Sequence, residues 1–263
     1  QFMKENKNAV AVVGNFKFLR NHANTFISNL RNQGKYQGEL LILTSLFTPT
    51  FLIKNIKKDT NVTVIRLPKI RFDKKTKKRF LNLNTNNQPN RFKTKNFQWF
   101  KLNLFHMKLK EWDKIFYLDI NLTIHKNLTD LMKISVRDSF LAKADGYPNY
   151  DRLLISQFDK TQPEINQMER AFNLNANNYF QTGLMYFDTS IIYKDMIDDI
   201  LKIAKEFPIS ITNEQGILNL HFQNRNGVYK ELPEYLGDDI IYYYWIIKNK
   251  SILITKQLVE QYK

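Results

Sequence analysis

The sequence predicts one α/β domain built on a mostly parallel sheet. Three observations carry this. Short apolar runs alternate with stretches of helical spacing, the order that lays parallel strands beside crossover helices. The 263 residues, 43% of them hydrophobic, suffice for one large core. No linker or internal repeat divides the chain, so residues 1–263 read as a single domain. Ligands of such sheets bind beyond the carboxyl ends of the strands.

Residues 10–13 form the first apolar run and end at Gly14-Asn15. Next, "NHANTFISNLRNQG" places Phe26, Ile27 and Leu30 at helical spacing, with Gly34 as the expected C-cap. "ELLILTS" and "NVTVIRLP" read as further strands. Residues 66–95 break the pattern. They carry eleven Lys/Arg and one Asp, are Asn-rich, and read as a mobile basic loop within the domain. Residues 96–112 show aromatic and aliphatic side chains at i, i+3, i+4 and read as an α-helix.

The run 115–118 then meets Asp119, Ile120 and Asn121. In an extended chain, Asp119 and Asn121 face the same side, roughly 7 Å apart, within reach of one metal ion or phosphate. The alternative is a strand ending at Leu118, with both as turn residues. Further on, a helix is expected from about 162 to 172, started by Pro163. "YFQTGLMYFDTS" reads as a strand, and residues 191–207 as an amphipathic helix. "NEQGILNLHF" begins polar and becomes apolar at helical spacing.

Composition narrows the function. The chain has no Cys, which excludes disulfides, thiolate zinc sites and thiol nucleophiles and fits a cytoplasmic location. No run reaches the ~18 apolar residues of a membrane span, and the first ten residues lack a signal-peptide core. Forty Lys/Arg against 25 Asp/Glu give a net charge of +15, which attracts anions such as sugar nucleotides.

Three stretches in order, "KIFYLDINLTIHKNLTDL", "YFQTGLMYFDTS" and "NEQGILNLHF", resemble the glycogenin-like glycosyltransferases of family 8. That family has "YLDAD", then "FNSGV" and a strand, then "DQGLLN" opening a helix. The resemblance spans roughly residues 9 to 224. It implies a Rossmann-like GT-A fold and transfer of a hexose, with retention, from a nucleotide sugar such as UDP-glucose. The implied acceptor is a glycan or protein, acidic if the basic stretch guides it. Mn²⁺ or Mg²⁺ is the implied cofactor. Homodimerisation is a further expectation, while a nucleic-acid partner is not expected.

By position, the resemblance puts metal ligation on Asp119 and Asn121. Asn121 departs from the family's Asp and supplies an oxygen without charge. The family's C-terminal His stretch is absent here, which leaves His221 as the His to consider. Donor binding falls on Val13, Gly14, Asn15, Lys101, Asp145, Gln181, Thr182 and Gly183. Glu214 and Gln215 match the Asp-Gln beside the anomeric carbon and carry the catalytic assignment. The main alternative is a sugar-nucleotide-binding protein of the same fold with little catalysis. A second is a nucleic-acid-binding protein that uses residues 66–95, where Phe72, Phe80 and Phe92 interleave with basic residues. It lacks a companion motif.

Overall fold

The computed structural model describes residues 7–58, 61–87, 97–144, 152–225, 227–233, 235–236, 239–244 and 251–255. Seven strands form the central sheet: β1 (Asn8–Val13), β2 (Glu39–Ser45), β3 (Val62–Leu67), β4 (Lys114–Leu118), β5 (Phe140–Ala144), β6 (Phe180–Asp188) and β7 (Tyr229–Glu231). Their order is β3-β2-β1-β4-β6-β5-β7. Pairs β3/β2, β2/β1, β1/β4 and β5/β7 are parallel; β6 runs antiparallel to β4 and β5. The mostly parallel sheet is as expected. Because β6 is reversed, its beginning lies at the edge where β1 and β4 end.

Helices cover both faces. They are α1 (Phe16–Asn32), α2 (Thr50–Ile56), α3 (Lys74–Asn87), α4 (Leu128–Leu131), α5 (Ile165–Ala171), α6 (Met196–Glu206) and α7 (Glu214–Gln223). Alternation along β1 explains the two layers. Val10 and Val12 face a cluster with Leu19, Ala23, Phe26 and Leu30 of α1. Ala9, Ala11 and Val13 face the opposite cluster, which holds Ile200 of α6 and Ile217, Leu218 and Phe222 of α7. Three further strands, β8 (Tyr235–Leu236), β9 (Asp239–Tyr244) and β10 (Ser251–Thr255), form a separate antiparallel sheet.

Four expectations need correction. First, α1 begins at Phe16, because the Asn15 side chain accepts from Phe18 N at 2.9 Å and caps it. At its other end Lys35, not Gly34, takes the left-handed conformation, with φ 52°. Second, residues 66–95 are not all loop. They contain the end of β3 and the whole of α3, anchored by Phe80 and Leu83. Third, the expected α-helix over 96–112 is two 3-10 segments, Trp99–Phe105 and Met107–Glu111, parted by extended His106. A period near three fits a 3-10 turn as readily as one α-helical face. Fourth, β4 ends at Leu118. Asp119 opens a turn closed by Leu122 N–H donating to Asp119 O at 3.0 Å. The extended-chain argument for Asp119 and Asn121 therefore does not apply.

Candidate active site

The carboxyl ends of β1 and β4, the start of β6 and the start of α7 meet at one edge. Local features aim each side chain there. Asp119 leaves β4 with its N–H donating to Gly183 O at 2.9 Å. The β5–β6 register shifts between Ala142, which pairs with Met185, and Ala144, which pairs with Phe180. The extra residues fall on β6 at Gln181, Thr182, Gly183 and Leu184, and such a bulge re-aims side chains. Asn213 precedes α7 at φ 55°. A non-glycine residue there stores strain and turns the chain into the helix at Glu214. At Gly216 a Cβ would meet Ser210 Oγ at 2.6 Å, so only glycine lets α7 start this close to its neighbour.

The centre of the site is Lys101. Its Nζ lies 3.0 Å from Asp119 Oδ1 and 3.4 Å from Glu214 Oε1. It donates to Thr182 O at 3.3 Å and to Thr182 Oγ1 at 3.4 Å. Tyr117 of β4 donates its hydroxyl to Asp119 Oδ1 at 2.6 Å, and its ring lies 5.7 Å from Lys101 Nζ. Thr182 Oγ1 donates to Glu214 Oε1 at 3.2 Å.

Glu214 is buried, and its Oε2 has no hydrogen-bond partner. Burial pushes its carboxyl above the usual range, and the Lys101 ammonium pulls the other way. Burial also works against the Lys101 charge, but the Asp119 and Glu214 carboxylates outweigh it and hold the ammonium above its ordinary range. Gln215 is fixed at both ends of its amide. Its Oε1 accepts from Thr182 N at 3.2 Å, and its Nε2 donates to Gln157 Oε1 at 2.8 Å.

The structure thus brings together Lys101, Asp119, Thr182, Glu214 and Gln215. Gly183 joins through its carbonyl. Gln181 is buried beside them on β6. Val13 is buried at the end of β1. Gly14 uses both backbone groups within the fold: its N–H donates to Leu43 O at 3.1 Å, and its O accepts from Thr44 Oγ1 at 2.7 Å. The Asn15 side-chain oxygen is occupied as the α1 cap. Asp145 lies outside the described residues. Tyr117 and Gln157 were not anticipated. Tyr117 sits in an apolar run and reads as core. Gln157 stands in a segment with no periodic or motif signal.

His221, the third residue given to metal ligation by the resemblance, lies within α7. It sits two turns beyond Glu214 on α7, about 10 Å along the axis. There Arg225 and Asp199 are its charged neighbours. Burial and the Arg225 charge lower its pKa to about 4, and its Nε2 has no partner. Among the described residues no three His, Cys, Asp or Glu side chains gather as a metal cluster. Asp119 and Asn121 remain. Both offer hard oxygens, the donor chemistry that suits Mn²⁺ and Mg²⁺, and the Asn121 amide makes no hydrogen bond among the described residues. Their donor chemistry suits a divalent ion, although Asp119 Oδ1 is already engaged by Lys101 and Tyr117.

The model of glycosyl transferase family 8 matches residues 9–234. Comparison with curated proteins gives no match. Among solved structures, an active-site mutant of LgtC superposes with a TM-score of 0.59 at 14% identity, over 85% of this chain and 72% of that one. The galactosyltransferase LgtC with donor and acceptor sugar analogs gives 0.55 at 14% identity, over the same shares. The Mn/GDP form of core-mannan synthase A from Aspergillus fumigatus gives 0.51 at 10% identity, over 84% of this chain and 70% of that one. At these identities the likeness shows the GT-A fold. No helix among the described residues is long and apolar enough to cross a membrane.

Proposed function

The chain belongs to glycosyl transferase family 8, and on that premise we propose that it transfers a hexose from a UDP-sugar to a glycan or protein acceptor. Sugar transfer from a nucleotide sugar follows from the family. The UDP-sugar, the retention of configuration and the residue roles are our reading. The observation that carries it is Glu214 Oε2, a buried carboxylate oxygen with no partner, beside a Gln215 amide locked at both ends. A buried acceptor left open costs free energy unless a ligand hydroxyl fills it.

The donor's diphosphate lies over Lys101 and the end of β4 in this reading. Asp119 and Asn121 would hold a divalent ion, which would supply charge neutralisation for the leaving diphosphate. Lys101 adds a fixed cation to the same region. Glu214 accepts from a sugar hydroxyl and stabilises positive charge at the anomeric carbon. Gln215 is an amide and a poor nucleophile, so the chemistry favours front-face attack. The acceptor hydroxyl then passes its proton to the leaving phosphate, and configuration is retained. Two neighbours support the reading: one is crystallised with manganese and GDP, another with donor and acceptor sugar analogs.

The test is release of nucleoside diphosphate from a panel of UDP- and GDP-hexoses with Mn²⁺, with water or simple sugars as acceptor. Proton NMR of the first-formed product reads its anomeric configuration. UDP release with retention supports the proposal. Release of no nucleotide from any donor, with no binding of UDP by calorimetry, overturns it.

A further inference from the structure

The same edge carries an apolar surface that the candidate site does not use. Phe16, Leu46, Phe47 and Phe51 are all exposed there, Phe47 by 79% and Phe51 by 62%. Phe16 opens α1, Leu46 and Phe47 follow β2, and Phe51 lies in the first turn of α2. Hydrogen bonds and ring contacts join these stretches. The Phe16 and Phe51 rings meet edge-on at 6.3 Å. Leu46 N–H donates to Leu67 O at 3.2 Å, and Thr44 and Thr48 hydroxyls bond at 2.6 Å beneath the loop. Arg66 donates to Thr48 O at 2.7 Å. The loop that displays Phe47 is therefore held from several sides. Single exposed apolar residues are ordinary, but four on neighbouring segments of one sheet edge, two of them in ring contact, mark a contact surface.

The charged side chains on these segments, 14–20, 46–58 and 66–69, are all Lys or Arg. Lys69 Nζ lies 5.9 Å from the Phe47 ring centroid. Arg20 stands four residues after Phe16 and Lys54 three after Phe51, which puts each beside that ring on its helix. Lys17, Arg20, Lys54 and Lys69 are all exposed. From Gly14 to Phe80 the chain carries fifteen Lys/Arg and three Asp/Glu. Exposed aromatic and aliphatic side chains ringed by cations are what a protein presents to an anionic bilayer.

We propose that this edge docks on anionic lipid membranes. Phe47, Phe51, Leu46 and Phe16 enter the boundary between headgroups and acyl chains, and the rim Lys and Arg meet the headgroup charges. Lipid fits better than a charged glycan or nucleic acid. The four central side chains carry no hydrogen-bonding group, which a polyanion requires and an acyl boundary does not. The contact is made by surface side chains at the sheet edge, so the mode proposed is peripheral. Docking in this orientation turns the carboxyl edge of the sheet toward the membrane.

Vesicle flotation of the full chain tests this independently of any transferase activity. Neutral phosphatidylcholine vesicles are compared with vesicles that also contain phosphatidylserine. The proposal expects binding to the anionic vesicles only, weakened by salt. Phe47→Ser with Phe51→Ser should lower that binding about ten-fold or more, with an unchanged melting temperature because both side chains are exposed. Lys54→Glu with Lys69→Glu should lower it too. Two results overturn the proposal. One is no binding to anionic vesicles. The other is full binding by the double Phe variant, which would leave net charge alone as the cause. Loss of heparin binding by that variant, with vesicle binding intact, would assign the surface to a polyanion instead.

Discussion

Lys101 Nζ sits 3.0 Å from Asp119 Oδ1, so the first oxygen of the D-x-N turn already holds a cation. A divalent ion drawn to Asp119 has to compete with that ammonium for the same carboxylate. A metal must therefore displace Lys101 or share Asp119 with it.

Replacing Lys101 by Met removes the competitor and keeps the bulk of the stem. Mn²⁺ affinity without nucleotide, read by calorimetry, should rise about ten-fold, or roughly 1.4 kcal/mol. The same variant should melt lower, because Asp119 and Glu214 lose their shared cation. Unchanged or weaker Mn²⁺ binding would show that Lys101 and the metal do not share Asp119.

Asn219 holds α7 against β6. Its Oδ1 accepts from Phe180 N at 2.8 Å, and its Nδ2 donates to Phe180 O at 2.9 Å, fully buried. Asn219→Leu leaves both backbone groups unpaired, at about 1–3 kcal/mol each. The expected result is a loss of about 3 kcal/mol in denaturant unfolding. A loss below about 1 kcal/mol would show that the clip does not hold the helix.

His221 gives a stability slope with pH. Folded, its pKa is lowered to about 4; unfolded, it returns to about 6.5. Between these values the unfolded chain binds the proton and the folded chain does not. Stability from this group is thus present above pH 6.5 and lost as pH falls toward 4. By pH 5 the loss is about 2 kcal/mol. His221→Phe should flatten the dependence of melting temperature on pH between 7 and 5 (both pH values spanning roughly that window). An identical slope in both proteins would remove His221 as the cause.

The layers of the fold were legible because β1, β2 and β4 are continuous apolar runs and α6 has a clean apolar stripe. The boundaries were less so. The polar, Asn-rich sequence of α3 hid the helix, although Phe80 and Leu83 anchor it. The 3-10 segments share a near-threefold period with α-helix. Five residues that the resemblance nominates, Lys101, Asp119, Thr182, Glu214 and Gln215, lie together in the structure. Gln157 was invisible because its role is a single amide contact across the fold. The burial of His221 was not legible, because a His in an apolar helix carries no sign of whether it faces solvent or core.

Glu214→Gln tests the central claim most directly, that this buried carboxylate serves the transferred sugar. The change preserves shape and removes the charge that opposes positive charge at the anomeric carbon. Turnover and donor Kd are measured together, with a melting curve to confirm folding. The account predicts a fall in kcat of about 10²-fold or more, roughly 2.7 kcal/mol, with donor Kd nearly unchanged, because that charge develops in the transition state. Turnover near that of the parent protein would contradict it and leave Glu214 as a structural partner of Lys101.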